Sequence, residues 1–366
     1  PPCACWIEPD STYTLALAPN DDGSSGLIAL PFQFSLYGDL YSACYVNNNG
    51  NVSFQDPYGT YSASGFPTSD FKMLAPFWGD VDTRVDSAGN GGTVMYKLTP
   101  HALYVNWSSV GYYAMHDDRV NSFQLIISDG NDPVIPGGNN VSFCYGGMQW
   151  TTGDASEGVG GLGGIPATVG ANKGDGIDYL QLGRFDHDST DWDGPFDNSD
   201  GVQWLTERHF AFSTADADIP PIFTSTGCDT LYVEAGTSLI YPMLMIAGGP
   251  GQLVSGTSSC PGIASYSEMD NTSGEVAQIV SSMTPTEDEV GLYSITYTAQ
   301  NDASTPLTSN YTVIVDVMPG TTTGVAATEA PQRITVQPNP AGDRAILSWP
   351  ADQRPALVQL IAMDGS

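Results

Sequence analysis

The chain is poor in positive charge: 10 Lys and Arg stand against 41 Asp and Glu, for a formal net charge of −31. A phosphate backbone would be repelled by such a surface, so nucleic acid is not expected as a partner. Charged residues of both signs make up only 14% of the sequence, against roughly 25% in an average soluble domain, and no convincing amphipathic helical period occurs. No run of 18 apolar residues exists, which excludes a transmembrane helix. The histidines, His101, His116, His187 and His209, are scattered, and neither HExxH nor GxSxG is present. Zinc catalysis and serine hydrolysis therefore lack their usual handles. No two of the cysteines form a CxxC pair, which removes the usual zinc and thiol-exchange motifs.

What the sequence has in quantity is Gly (41), Pro (26) and aromatic residues (10%), a profile of short strands and many turns. At 366 residues the chain exceeds the size of a single core, so two or more domains are expected. The excess acid is mostly Asp, which suits turns, keeps a protein soluble and offers oxygen ligands to Ca²⁺. The start at Pro1 fits a mature chain after removal of a signal peptide, or an artificial start.

Six cysteines, Cys3, Cys5, Cys44, Cys144, Cys228 and Cys260, are widely spaced; an even count of this kind points to disulfides and an oxidising compartment. Cys228 and Cys260 fall in one candidate domain and are expected to pair, closing a loop worth about 3.5 to 4 kcal/mol on the chain-entropy model. The other four are expected to pair among themselves, in a pattern left open.

Strand signals recur along the chain. Phe123, Leu125 and Ile127 share one face of a strand that Asp129-Gly130-Asn131-Asp132-Pro133 ends, and Leu103, Val105 and Trp107 alternate in the segment 102–110. After Ile219-Pro220-Pro221, strands are expected at 230–233, 239–244, 277–280, 291–299 and 310–317, close to the spacing of a β-sandwich. Residues 318–331 have no periodicity and read as a flexible linker.

Three resemblances follow. Asn48-Asn49-Gly50-Asn51-Val52-Ser53-Phe54, Ala75-Pro76-Phe77-Trp78-Gly79-Asp80-Val81-Asp82-Thr83-Arg84, Phe123-Gln124-Leu125-Ile126-Ile127, Asn140-Val141-Ser142-Phe143 and Met148-Gln149-Trp150 stand in an order similar to the nidogen-like (NIDO) domain. That resemblance covers residues 1–215 and implies a non-catalytic, β-rich extracellular module. Residues 216–317 resemble an immunoglobulin-like sandwich at the level of the fold. Ile334-Thr335-Val336-Gln337-Pro338-Asn339-Pro340, with Ala345-Ile346-Leu347-Ser348-Trp349 and Val358-Gln359-Leu360-Ile361-Ala362-Met363-Asp364-Gly365, resembles the start of a C-terminal sorting domain of the type IX secretion system. The matched part, residues 332–366, is shorter than that family's domain. It implies the secretion machinery as a partner and the cell surface or the medium as destination.

Several constellations bear on chemistry. The run Asp186, Asp188, Asp191, Asp193, Asp197 and Asp200 concentrates like charge that a cation would relieve; its spacing resembles calcium loops without matching the EF-hand, and a solvated loop is the bland alternative. Asp80 and Asp82 are a second acidic pair, expected on one side of a strand with Trp78, for structural hydrogen bonding or a cation site before catalysis. Gly158-Val159-Gly160-Gly161-Leu162-Gly163 matches GxGxxG but has neither the entering strand nor the following helix of a dinucleotide site, and reads as a tight glycine loop. Asn106-Trp107-Ser108 and Asn140-Val141-Ser142 fit the glycosylation sequon. Tyr112 and Tyr113 could stack on sugars, with aromatic core packing the stronger expectation.

The expectation is thus an all-β chain: a NIDO-like β-rich domain, an immunoglobulin-like β-sandwich and the first strands of a β-sandwich sorting domain. The expected role is a secreted or cell-surface, non-enzymatic protein for adhesion or matrix attachment, with a protein or glycan ligand and possible Ca²⁺. A subunit of an extracellular fibre, pairing with copies of itself through sheet edges, is the alternative; a polysaccharide-acting enzyme comes third.

Overall fold

The computed structural model describes residues 5–84, 91–135, 138–226, 230–320, 335–337 and 346–348. The chain divides into two units, Pro1–Pro319 and Gly320–Ser366, and is all-β; there is no α-helix among the described residues, and short 3-10 turns stand at Asp154–Ser156, Val202–Leu205 and Glu287–Glu289.

Two sheets enclose the first core. A 7-stranded sheet runs in the order Asp200–Gly201, Tyr179–His187, Ala167–Asn172, Met73–Trp78, Asn51–Ser53, Asp39–Asn47, Ile28–Leu36. An 11-stranded sheet begins Thr14–Leu15, Thr93–Leu98, Ala102–Tyr112, His116–Ser128, Val141–Tyr145, Arg208–Phe212, with Val81–Asp82 also paired to Ala102–Tyr112. The alternation in the sequence decides which side chains go inward. Ile28, Leu30, Phe32, Phe34 and Leu36 are buried along one face of their strand, and Pro31, which lacks an N–H, sits on this edge strand where the register shifts between Ala29 and Phe34. Phe123, Leu125 and Ile127 enter the same cluster from the other sheet. Phe77 joins the layers, its ring centroid 5.5 Å from Phe123 and 5.3 Å from Trp150.

The 11-stranded sheet does not stop at residue 215. Arg208–Phe212 pairs with Ile222–Thr226, which pairs with Leu239–Ile246, then Val276–Met283 and Ser267–Asn271. These later strands form one layer of a β-sandwich. The facing layer is a 4-stranded sheet of Thr230–Glu234, Thr308–Met318, Gly291–Asn301 and Val254–Ser259. Met243, Met245, Ala277 and Ile279 meet Ile295, Tyr297, Val313 and Val315 in a second core. The strands read from periodicity after residue 219 are all present, each longer by one to four residues.

In the second unit, Thr335–Gln337 pairs antiparallel with Ile346–Ser348. The expected Pro338-Asn339-Pro340 turn, most of the linker 318–331 and the strand expected near Val358 lie outside the described residues.

Cys5 and Cys144 form a disulfide with Cα atoms 5.8 Å apart, at a sequence separation of 139. Cys44 is buried without a disulfide partner among the described residues, and burial pushes its thiol up to about 12. Cys3 and Cys228 lie outside the described residues, and so therefore does the expected Cys228–Cys260 bond; Cys260 itself is buried.

Candidate functional site

Three segments meet where the chain crosses between the sheets of the first core. After Trp78 the backbone leaves the 7-stranded sheet and turns at Gly79, with Val81 N–H donating to the Gly79 carbonyl at 3.0 Å. It then enters the other sheet by pairing Val81 with Tyr112 and Asp82 with Gly111. Asp80 and Asp82 therefore do not share one continuous strand with Trp78, as their spacing suggested; Asp80 stands at the crossing itself. The second segment is the Asn48–Gly50 turn. Its Gly50 has φ +74°, and a Cβ there would stand 1.8 Å from the Phe77 carbonyl oxygen, so only glycine permits the approach. The third is Asn20–Gly23, closed by Gly23 N–H donating to Asn20 Oδ1 at 2.6 Å. Asn48 ties them together, donating from Nδ2 to the carbonyls of Asp21 and Val81, while Thr83 N–H donates to the Asn20 carbonyl at 2.9 Å.

This convergence gathers carboxylates. Oxygens of Asp21, Asp22 and Asp80 all lie within 4.8 Å of one another. Asp80 is 2% exposed. Its Oδ2, Asp21 Oδ1 and Asn49 Oδ1 are buried oxygens with no hydrogen-bond partner among the described residues, although Asn49 Nδ2 donates to Asp22 Oδ1 at 2.9 Å. Gly153 closes one wall, where a Cβ would stand 2.4 Å from Asp80 Oδ2. Asp82 is satisfied differently, accepting from Arg84 Nε at 2.9 Å and from Met115 N–H at 2.8 Å. Arg84 also reaches Asp21 at 3.1 Å. Desolvation, followed by the neighbouring carboxylates Asp21, Asp22 and Asp82, pushes Asp80 up to about 7 against the pull of Arg84. Desolvation with Asp82 and Asp22 likewise raises Asp21 to about 6. Buried acceptors left without donors are costly, and this hard, all-oxygen donor set suits a proton or a hard cation.

The run from Asp186 to Asp200 is spread over separate contacts. Asp186 and Asp191 hold the two ring nitrogens of His187, Asp188 takes Arg119 and Gln203, and Asp200 accepts the backbone N–H groups of Arg184 and Asp193. The side-chain triad within ligating distance among the described residues is at Asp21, Asp22 and Asp80, not in this run. Asp80 had been singled out in the sequence as a candidate ligand; Asp21 and Asp22 had not, since an Asn-Asp-Asp-Gly turn reads as solvated loop until the fold brings Asp80 to it, and Asn49 entered only through the family resemblance. Asn106 and Asn140, named above as sequon asparagines, are buried, Asn106 Nδ2 donating to the Ile7 carbonyl at 3.0 Å and Asn140 Nδ2 to the Ser35 carbonyl at 2.8 Å, so neither amide is free in the folded chain. The glycine run is a tight loop bridged between Val159 and Leu162. Tyr112 is core, with its hydroxyl donating to Asp118 at 2.8 Å.

A family model described as NIDO related matches residues 6–192. The chain belongs to the NIDO-related family. The matched span contains the Asn48–Gly50 turn, the Gly79 crossing, the Asn20–Gly23 loop and Gly153, which together enclose the carboxylate cluster. This NIDO-related chain is similar to α-tectorin of Mus musculus, 32% identical over 192 residues, covering 44% of this chain and 8% of the relative. It is similar also to nidogen of Drosophila melanogaster, 26% over 232 residues, 55% of this chain and 16% of the relative, and to nidogen-2 of Mus musculus, 32% over 147 residues, 32% and 10%. The chain thus spans a small part of the length of these relatives. Among solved structures, human CDH23 EC21-23 aligns at 16% identity and a TM-score of 0.22, over 33% of this chain and 46% of that one, too low to bear on the fold.

Proposed function

We propose that this NIDO-related chain is an extracellular, non-enzymatic binding module that serves adhesion or matrix attachment, with a protein or glycan as ligand. The observation that carries the reading is the Cys5–Cys144 bond in a chain of this family: it fastens the start of the chain to a central strand, and such bonds persist in oxidising, extracellular settings. The similarity to tectorin and nidogen supports the same class of role. Two finer parts of the reading accompany it. The sandwich of residues 216–317 is an immunoglobulin-like spacer, supported by its two facing four-strand layers. Residues 332–366 are an address read by type IX secretion machinery, supported by the antiparallel pairing of Thr335–Gln337 with Ile346–Ser348.

The test is solid-phase binding of the purified chain to immobilised matrix glycoproteins and polysaccharides, together with electron microscopy. Saturable binding by dispersed particles supports the adhesion module. Regular filaments without such binding would move the assignment to a self-assembling fibre subunit. Deleting residues 332–366 should block export and leave melting unchanged; normal export would remove the sorting role.

A further inference from the structure

We propose that Asp21, Asp22 and Asp80 bind a Ca²⁺ ion that clamps the Asn20–Gly23 loop to the crossing between the two sheets. The geometry is that of a cation cage. With Ca²⁺–oxygen distances of about 2.4 Å, ligand oxygens on opposite sides of one ion stand about 4.8 Å apart, and the three carboxylates here all offer oxygens within 4.8 Å of one another. Burial supplies a second, independent indication. Asp80 is almost completely enclosed, yet its Oδ2 has no donor among the described residues, and Asp21 Oδ1 and Asn49 Oδ1 are in the same condition. Asn49 is adjacent, since its Nδ2 reaches Asp22, so its carbonyl-type oxygen is the natural fourth protein ligand. Exposed Asp22 leaves one side open for water and for entry of the ion.

Charge points the same way. Among the described residues, Asp21, Asp80 and Asp82 feel one neighbouring cation, Arg84, whose guanidinium is already spent on Asp82 and Asp21. A divalent ion neutralises the remainder and supplies the partner that the buried oxygens lack. Its ligands come from the Asn20–Gly23 loop, the Asn48–Gly50 turn and the Gly79–Asp80 crossing, so binding is coupled to holding the two sheets of the first core in register. The densest acidic run in the sequence, Asp186 to Asp200, is not this site.

The experiment is calorimetric titration of the full chain, stripped of metal, with CaCl₂, and thermal melting with and without the ion. Expected are one saturable site and a melting temperature that rises with Ca²⁺ as mass action requires, with binding weakened about tenfold or more by Asp80→Asn and by Asp22→Asn. Asp188→Asn, in the other acidic run, should bind as the unsubstituted chain does. Asp22 is exposed, so its variant keeps the test valid should Asp80→Asn fold poorly. Absence of both saturable heat and a melting shift at about 5 mM Ca²⁺, a concentration that saturates weak extracellular sites, would overturn the proposal. So would binding that survives both substitutions unchanged, or that is lost in Asp188→Asn.

Discussion

Ile222 and Phe223 are consecutive residues that serve different cores. Ile222, opposite Ile246, belongs to the cluster between the 7-stranded sheet and the first strands of the 11-stranded one; Phe223, opposite Met245, belongs to the sandwich. One strand pair is thus buried on both faces, and the period of two sends its alternate side chains into the two cores.

A chain ended at residue 215 should accordingly fold poorly. It would lose the strand that pairs with Arg208–Phe212, and Ile219, Ile222 and Ile246 from the first core. Loss of a buried Ile side chain by itself costs about 2 to 5 kcal/mol, so the shortened chain should melt well below one ended at residue 319. Differential scanning calorimetry of the two would decide, and equal melting would show that the shared strand pair is dispensable to the first core.

The Cys5–Cys144 bond closes a long loop. Cys144→Ser should destabilise the chain by about 2 to 5 kcal/mol, read as a lower denaturation midpoint. Cys44, sealed in the core with its thiol raised to about 12, should resist iodoacetamide in the folded protein and react once it is unfolded. Mass spectrometry of tryptic peptides before and after denaturation checks this.

Stability should fall as pH rises from about 4 toward 7 in calcium-free buffer. Burial, the leading cause in each, raises Asp200 and Asp21 to about 6 and Asp80 to about 7. A carboxyl held above its unfolded value of about 4 binds more protons in the folded chain across that interval, so folding is progressively disfavoured until the folded value is passed. Asp200→Asn should flatten the slope between about pH 4 and 6 and leave the portion up to 7 that Asp80 supplies. Denaturation midpoints across this range measure both slopes.

Gly50→Ala should be among the most damaging single substitutions. The added methyl would sit 1.8 Å from the Phe77 carbonyl oxygen, at a φ of +74°, and relief would require moving the crossing that carries Asp80. A loss above about 3 kcal/mol is expected, measured by chemical denaturation; Gly138→Ala, at φ +83° but with open space around its Cβ, is the control for backbone strain alone.

The all-β class, the strands through Phe123–Ile127 and Leu103–Trp107, and the inward face of each were legible in the sequence because alternation with period two is a local property. Turn chemistry at Asp129-Gly130-Asn131-Asp132-Pro133 is local too, and it marked the end of a strand. The disulfide between Cys5 and Cys144, the continuation of one sheet past residue 215 and the meeting of Asp21 and Asp22 with Asp80 were not legible. Each joins segments that are distant in sequence, and no periodicity records which distant strand will pair with which. The densest acidic run in the sequence remained a set of separate hydrogen bonds, whereas two aspartates in an unremarked turn acquired a buried neighbour. Linear density of charge is set by composition; convergence of charge is set by the crossing of the chain between sheets, and only the tertiary structure decides it.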